Sequence, residues 1–496
     1  MPNRTLECME ARWPTMGFLS LGLVWGWLDV QTSSFALFPA AASAAPSILE
    51  LHLYCFSLSM TATILAGILF YRAVDASFGR PAAFAFATCL LSGSVVASAA
   101  FGAEAVPVGL VGIGAVMAGA GAAWFMMSYA NAYISLKPGD LFVSVGLSKI
   151  VGIAYYFVTT SLPPALSLAS LVAAPAVAAV LLHRTAGRKG LSADASKPGA
   201  PASAQSFFAR TTDEFSALGI SKKSVLKLSA VCFVVFFIAV LTKQEGLAAS
   251  DGEASTLSFQ LINFGTLLLS IFLVLLTAAP PKKEVTALAK GFYAAMAVIV
   301  ILFIATTLGS YHAPAFSWIS GSLRNVLDAV MFAISALLIR RLHTSTAQTY
   351  GVICGFPVCL GGFLGHALVN NALFAGSEHT YYLVLAIDLV AMILLFAIFT
   401  PHDLELLLAV GAAEPLSEED GAREDESDCE SFKAQASFSS RESEVFSLLM
   451  DGYTIRLISQ ELHISPSTVK THISKIYLKT GVDTREELLV KVKHLE

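Results

Sequence analysis

Residues 106–130 read VPVGLVGIGAVMAGAGAAWFMMSYA and contain no charged side chain. A helix needs about 20 apolar residues to cross the hydrocarbon core of a bilayer, so this stretch is long enough to span a membrane. Its small residues favour close packing against neighbouring helices, and the glycines concerned are Gly109, Gly112, Gly114, Gly119 and Gly121. Similar runs recur through the first 400 residues, so the same inference extends to that whole region.

The composition of the whole chain agrees with a membrane protein. Of its 496 residues, 55% are hydrophobic and only 14% are charged, whereas about a quarter of the residues of a soluble protein are charged. The charges are also uneven, because residues 401–496 read as ordinary soluble sequence. We therefore expect an all-α fold with a polytopic membrane region followed by a soluble C-terminal domain.

Twelve apolar runs are predicted to be transmembrane helices, six on each side of a polar cytoplasmic loop at 184–223. We expect lipid contacts along their outer faces. The runs are 16–38, 48–71, 81–101, 106–130, 140–160, 163–183, 224–242, 255–279, 290–309, 316–339, 348–374 and 380–400.

The loops between these runs indicate the orientation of the chain, because cytoplasmic loops carry an excess of Lys and Arg. Alternate loops satisfy this rule, and the opposite set contains only Lys243. Twelve spans then place both termini in the cytoplasm, at the cell membrane. The basic set consists of Arg4, Arg12, Arg72, Arg80, Lys137, Arg184, Arg188, Lys189, Lys222, Lys223, Lys282, Lys283, Arg340 and Arg341.

Two groups of six spans joined by a polar loop resemble the two halves of a major facilitator superfamily transporter. That family's motif between the second and third helices is similar to G-x-x-x-D-R-x-G-R-[RK]. Residues 71–80, YRAVDASFGR, keep Asp75, Gly79 and Arg80 but at a different spacing. This departure argues against working transport.

Charged residues inside the spans are the candidate ligand contacts, because a charge at mid-membrane is costly and usually faces a cavity or a partner. The candidates are Lys149, Arg324, Asp328 and Asp388, with Asp29, Gln260, Asn263, His366, Asn370 and Asn371 as weaker ones. Arg324 and Asp328 lie four residues apart and could simply neutralise each other. No acid lies one turn from Lys149, which favours a functional role for it.

An acidic segment follows the membrane region, which we assign to residues 1–402. Residues 414–430 read EPLSEEDGAREDESDCE and cannot bury enough apolar surface to order themselves. We interpret residues 403–436 as a flexible linker. An alternative is that its acids compete with DNA phosphates for a basic helix.

Residues 437–496 are predicted to form four short helices with recognisable caps. Ser439 and Glu442 have capping-box spacing, and Ser465 precedes Pro466 as a helix start. Gly481 is expected to end that third helix, and a second capping box is predicted at Asp483 and Glu486, where a fourth helix begins. Four short helices with a tight turn before the third are typical of a helix-turn-helix.

The charge of this region is concentrated on the third helix. Residues 437–496 contain eight Lys or Arg and eight Asp or Glu, yet no acid occurs between Glu461 and Asp483. A run of basic residues free of acids is thus found on the helix that would enter the major groove of DNA.

These residues resemble the LuxR/FixJ-type DNA-binding domain over nearly all of 437–494. The matching segments are FSSRESEV at 438–445, GYT at 452–454, LHIS at 462–465, TVKTH at 468–472 and KTGV at 479–482. The resemblance implies base contacts by Lys470, Thr471 and Ser474, and phosphate contacts by Thr468 and Lys479. The family's frequent Lys at position 474 is absent, and Lys475 lies beside it. The resemblance also implies a homodimer on two-fold double-stranded DNA.

Together these features predict a membrane-bound one-component transcriptional regulator that senses a small molecule. Two alternatives stay open: a transporter whose C-terminal domain reports on transport, and a transporter whose helical tail binds protein. No phosphate loop, metal-ligand cluster or nucleophile-base arrangement occurs in the sequence, so we expect no enzyme activity, cofactor or metal.

Overall fold

The computed structural model describes residues 16–33, 46–99, 108–136, 138–188, 206–209, 221–248, 252–277, 314–369, 390, 438–450, 458–459, 461–482 and 488. Within these ranges the secondary structure is helical and contains no extended strand, which confirms the all-α prediction. The chain divides into two compact units, Met1–Ala413 and Glu414–Glu496. The predicted domain limits near 402 and 437 fall at or within residues 391–437, outside the described residues, and stay predictions.

The helices of the first unit coincide with ten of the twelve predicted spans. Predicted spans 290–309 and 380–400 lie outside the described residues, apart from residue 390. The helices are α1 (Met16–Leu19), α2 (Leu21–Ser33), α3 (Pro46–Leu69), α4 (Tyr71–Asp75), α5 (Pro81–Ala99), α6 (Val108–Tyr133), α7 (Pro138–Ser161), α8 (Pro164–Arg188), α9 (Lys222–Ala248), α10 (Gly252–Thr277), α11 (Pro314–Leu342), α12 (Thr346–Tyr350) and α13 (Phe356–Val369).

Five of these helical segments are long and apolar enough to cross a bilayer. They are Leu51–Leu69, Gly109–Tyr133, Asp140–Ser161, Pro164–Thr185 and Thr346–Leu368, and shorter apolar segments occupy Pro81–Ala97 and Gln260–Val274. The last of the five includes a π-helical turn, Gly351–Gly355, between α12 and α13. The first unit is therefore a bundle of membrane helices.

The helix contacts repeat between the two halves of the bundle. In the first half α2 packs on α7 and α3 on α6, and in the second half α9 packs on α13 and α10 on α11. The halves meet where α7 contacts α10 and where α3 contacts α13. This arrangement brings side chains of α2, α7, α10 and α11 together.

Glycines allow close backbone contact within this bundle. A Cβ atom at Gly26 would collide with the carbonyl oxygen of Gly152, and one at Gly119 would lie 2.5 Å from the carbonyl oxygen of Phe56. A Cβ at Gly109 would meet no atom within 4 Å. The predicted packing role of span four thus applies to Gly119 but not to Gly109.

A set of hydrogen bonds joins the halves at the start of α12. The Asp75 carboxylate accepts from the backbone N–H of Ala347 at 3.0 Å. Gln348 donates to the carbonyl oxygen of Ile68 at 3.2 Å and accepts from the backbone N–H of Phe207 at 2.9 Å. The altered loop motif therefore still places a carboxylate at a helix N-terminus, where negative charge is favourable.

The second unit contains α14 (Ser440–Met450) and α15 (Pro466–Thr480). These two helices pack on a small apolar core. The turn before α15 contains His463, whose backbone is in the left-handed region with a φ of 53°. Residues 451–457 and most of the predicted fourth helix, with Asp483 and Glu486, lie outside the described residues. The buried core side chains are Val445, Phe446, Leu449, Ile458, Val469, Ile476 and Leu488.

Candidate nucleic-acid interface and candidate ligand site

Helix α15 has the predicted boundaries and caps. The Ser465 side chain accepts a hydrogen bond from the backbone N–H of Thr468 at 3.1 Å, and Pro466 occupies the first turn. Gly481 ends the helix in the left-handed conformation, with a φ of 64°, which glycine adopts at little cost. These caps fix the start, and hence the register, of the helix that carries the predicted DNA contacts.

One face of α15 is buried and the opposite face is exposed. Val469, Ile476 and Thr480 face the core. The structure places all six predicted DNA contacts at exposed positions of this helix, which itself contains no acidic residue. They are Thr468, Lys470, Thr471, Ser474, Lys475 and Lys479. The buried face orients the helix, so the exposed face is a basic surface of fixed shape.

The hydroxyl groups at the start of α15 already have partners. Thr468 and Ser465 share a hydrogen bond of 2.8 Å between their hydroxyl oxygens, and the Thr471 hydroxyl donates to the carbonyl oxygen of Ser467 at 3.0 Å. The Thr468 backbone N–H is also engaged by Ser465. Hydroxyl lone pairs stay available as acceptors.

Lys479 has an internal partner that the sequence pattern did not reveal. Its ammonium nitrogen lies 2.7 Å from Oε2 of Glu442, whose side chain is only 6% exposed. Glu442 also accepts from the backbone N–H of Ser439 at 2.8 Å, which completes the predicted capping box with the return bond from Glu442 N–H to the Ser439 hydroxyl. One carboxylate thus caps α14 and ties α15 to it.

This geometry keeps Glu442 ionised. The hydrogen bonds from Lys479 and from the Ser439 backbone lower the pKa of Glu442 from 4.5 to about 2. Lys479 is therefore part of the domain's internal structure, and its predicted phosphate contact would have to share the ammonium group with Glu442.

A second group of charged residues lies between helices of the membrane unit. The Lys149 ammonium on α7 lies 3.6 Å from Oδ2 of Asp328 on α11. The same ammonium lies 4.0 Å from the centre of the Trp25 ring on α2. The acid near Lys149 thus comes from the other half of the bundle, and the same Asp328 also interacts electrostatically with Arg324, the neighbour that the sequence suggested.

Arg324 is one turn from Asp328 on α11. Its guanidinium donates to Oδ1 of Asn325 at 2.9 Å and lies 5.8 Å from the ring centre of Phe236. Both Asp29 and Asp328 interact with it electrostatically. Asn325 in turn donates to the Thr266 hydroxyl at 3.3 Å, so α2, α10 and α11 all contribute to this polar cluster.

The other intramembrane candidates are dispersed. Asn263 is buried and forms a hydrogen bond with Tyr156, whereas Gln260 is exposed. His366 lies on α13, which is not one of the helices that form the cluster. Asp388, Asn370 and Asn371 lie outside the described residues. Among the residues that the structure describes, no three His, Cys, Asp or Glu side chains form a metal-binding group.

Sequence reasoning missed two members of the cluster. Trp25 and Asn325 carry no charge, and aromatic or amide residues are common in apolar helices. One signal was available for Trp25, because it lies four residues before Asp29 and hence on the same helix face.

The C-terminal unit has clear relatives. Residues 436–492 match the family profile described as bacterial regulatory proteins, luxR family. Spore germination protein GerE of Bacillus subtilis (strain 168) is 39% identical over 61 residues, which cover 12% of this chain and 82% of GerE. Through this unit the chain belongs to the luxR family of bacterial regulatory proteins.

Longer relatives align only over the same short region. Transcriptional regulatory protein DegU of Brevibacillus brevis is 45% identical over 51 residues, which are 10% of this chain and 22% of DegU. The chain thus spans about a fifth of the length of DegU, and the likeness is limited to the DNA-binding type of domain.

The membrane unit has the fold of a transporter. The crystal structure of a bacterial homologue of the iron transporter ferroportin, in an outward-facing state, aligns with a TM-score of 0.53 and 12% identity, covering 80% of this chain and 98% of that one. FucP, titled a Major Facilitator Superfamily transporter, aligns with a TM-score of only 0.42 at 13% identity, covering 77% of this chain and 97% of FucP. The likeness to the ferroportin homologue shows that the membrane unit shares that protein's fold.

Proposed function

We propose that this protein is a membrane-bound one-component transcriptional regulator. Its membrane unit senses a small molecule, and its C-terminal unit binds operator DNA as a homodimer. The observation that carries the proposal is the exposed basic face of α15, on a luxR-family unit that shares a chain with a bundle of membrane helices. Regulation, and no enzyme activity, is the function that this combination supports.

The membrane orientation is part of the proposal. Both termini lie in the cytoplasm, because DNA is there and because the basic loops alternate with loops nearly free of Lys and Arg. A fluorescent protein fused after Glu496 should fluoresce, whereas alkaline phosphatase fused at the same place should be inactive. The reverse pattern would remove the C-terminal unit from DNA and end the proposal.

Lys470 is the residue whose loss should most reduce operator binding. Genome-wide mapping of DNA bound by the intact protein would first supply an operator. Lys470→Ala should then lower affinity about 10- to 100-fold, because a lysine that contacts a base edge contributes at this level. The matched control is Arg441→Ala, which removes the same charge from the exposed surface of α14.

Two outcomes decide whether Lys470 contacts the operator. A loss specific to Lys470→Ala supports the assigned interface. Equal affinity of Lys470→Ala and the unchanged protein, measured with the intact protein in nanodiscs, contradicts it.

Transport is the second candidate function, because the membrane unit shares its fold with a transporter. Radiolabelled uptake of compounds that induce the target genes separates the two possibilities. Uptake that persists in Lys470→Ala cells would identify a transporter that also reports to DNA, whereas induction without uptake would identify a sensor.

A further inference from the structure

Two cations of the membrane unit, the buried Lys149 and the partly buried Arg324, have fewer hydrogen-bond acceptors than donors. Lys149 is 5% exposed, and it belongs to the half of the bundle opposite to that of Arg324. Burying a charge away from water is costly unless it is paired and hydrogen-bonded. The hydrogen-bond partners of Lys149 and Arg324 therefore show whether all the donors of these two cations are satisfied.

Lys149 is incompletely paired. An ammonium group has three N–H donors, but the nearest carboxylate oxygen, Oδ2 of Asp328, lies at 3.6 Å, beyond a normal hydrogen bond. Trp25 covers one side of the ammonium. Among the described residues no other acceptor contacts it, so its donors are available to an incoming group.

Arg324 is incompletely paired as well. A guanidinium has five donors, and its one described side-chain hydrogen bond goes to Asn325. Within the described part of the chain its Nε is buried without an acceptor. Both cations therefore have N–H donors for which the described residues provide no acceptor.

The two carboxylates of the cluster, in contrast, each have a cationic partner. Asp328 has Lys149 beside it and interacts electrostatically with Arg324, and Asp29 also interacts with Arg324. A cationic ligand would therefore compete with two cations already present. An anion would meet donors that have no acceptor.

Apolar rings lie next to the cations. The Trp25 ring packs edge-on against Phe332 with 5.7 Å between ring centres, and the Arg324 guanidinium lies near Phe236. These rings suit an apolar or aromatic body attached to the acidic group, since ligand sites combine apolar walls with a few placed polar groups.

We propose that the sensed molecule is a small organic carboxylate that binds between Lys149 and Arg324 and replaces Asp328 as the partner of Lys149. This inference rests on the proposed function, in which the membrane unit senses a small molecule. Because Lys149 lies on α7 and Asp328 on α11, the exchange breaks a contact between the two halves. Binding would thereby change the relative stability of two arrangements of the bundle.

The test uses the intact protein in nanodiscs and three probes with the same ring. Phenylacetate, phenylacetamide and phenethylamine carry a negative, a neutral and a positive group on a similar body. Thermal stabilisation and tryptophan fluorescence report binding at concentrations up to the millimolar range. We expect a saturable response to phenylacetate and none to the amide or the amine.

Two variants separate a binding role from a structural one. Lys149→Met should weaken phenylacetate binding about 10- to 100-fold, as expected for loss of a charge-assisted hydrogen bond. Asp328→Asn should strengthen it, because the competing carboxylate is gone. A pair that is only structural would make both variants weaken binding or stability in the same direction, and that result would overturn the inference.

The outcomes also distinguish this inference from the proposed function. Binding of the amine in place of the acid, or no response to the acid, overturns the ligand class while operator binding by the same preparation leaves the regulator intact. Acid binding together with loss of operator binding in Lys470→Ala supports both. Acid binding by a protein that binds no DNA supports the ligand class and contradicts the regulator.

Discussion

The two compact units keep their helices in place by different means. In the membrane unit, α2 and α7 lie so close together that a side chain at Gly26 would collide with the backbone of Gly152. In the C-terminal unit, the helices are short, their ends are capped by side chains, and one ion pair between Glu442 and Lys479 joins α14 to α15.

The surroundings of each unit explain this difference. Lipid is as apolar as a leucine side chain, so burial gives little preference for helix association and shape decides which helices meet. In water a small domain must satisfy its helix ends and bury a core.

Two of the described ion pairs, one in each unit, follow the same division. The Glu442–Lys479 contact is 2.7 Å and the Lys149–Asp328 contact is 3.6 Å. The tight pair forms part of a helix cap, whereas the loose pair leaves donors for a ligand. A short contact and a long contact thus correspond to a structural role and a proposed sensing role.

The largest expected effect tests close packing in the membrane unit. Gly26→Leu should destabilise the bundle by about 1–3 kcal/mol or more, because the added side chain would force α2 away from α7. Heating the detergent-solubilised protein and measuring the fraction that stays monodisperse would detect the loss. The control is Gly109→Leu, where a Cβ meets no atom within 4 Å. Equal losses in both variants would contradict packing by close backbone approach.

A smaller effect tests the ion pair and cap of the C-terminal unit. In a fragment of residues 414–496, Glu442→Ala should lower the free energy of unfolding by about 1–3 kcal/mol, because it removes both the helix cap and the contact between Glu442 and Lys479. Urea titration followed by circular dichroism gives the value. Arg441→Ala breaks the exposed pair with Glu444 and should cost less than about 0.5 kcal/mol. Similar values for the two variants would show that Glu442 is an ordinary surface acid.

The smallest expected effect is on the way the stability of the C-terminal unit depends on pH. The pKa of Glu442 is lowered to about 2 in the folded state, below its ordinary value of 4.5, so its contribution is complete above the ordinary value and is lost as pH falls toward 2. The unfolding free energy of the same fragment should therefore fall with acid over this interval. Glu442→Gln should flatten this part of the pH profile, and an unchanged slope would assign the effect to other acids.

Local features of this fold were predictable from local sequence. The cap at Ser465, the turn at Gly481 and the capping box of Ser439 with Glu442 depend on residues within a few positions of each other, and the structure contains them. The exposure of Lys470 followed from the spacing of Val469 and Ile476 on the buried face.

The partners of charged side chains were predicted less well. The sequence placed Asp328 beside Arg324, with which it interacts electrostatically, but it did not predict the contact of Asp328 with Lys149. The contact of the Lys479 ammonium with Glu442 was not predicted either, and the phosphate contact of Lys479 stays a prediction. Each of these contacts joins separate helices, and helix periodicity carries no information on which faces meet.

That the chain is helical, that its first part is apolar enough for lipid and that its last part is a luxR-type domain could all be inferred from the residues, because apolar length, helix caps and a short ordered motif act locally. The packing of the helices was needed to show that Trp25, Lys149, Arg324 and Asp328 form one cluster. Such a cluster depends on how whole helices pack against one another, and that packing is set by shape summed over many residues.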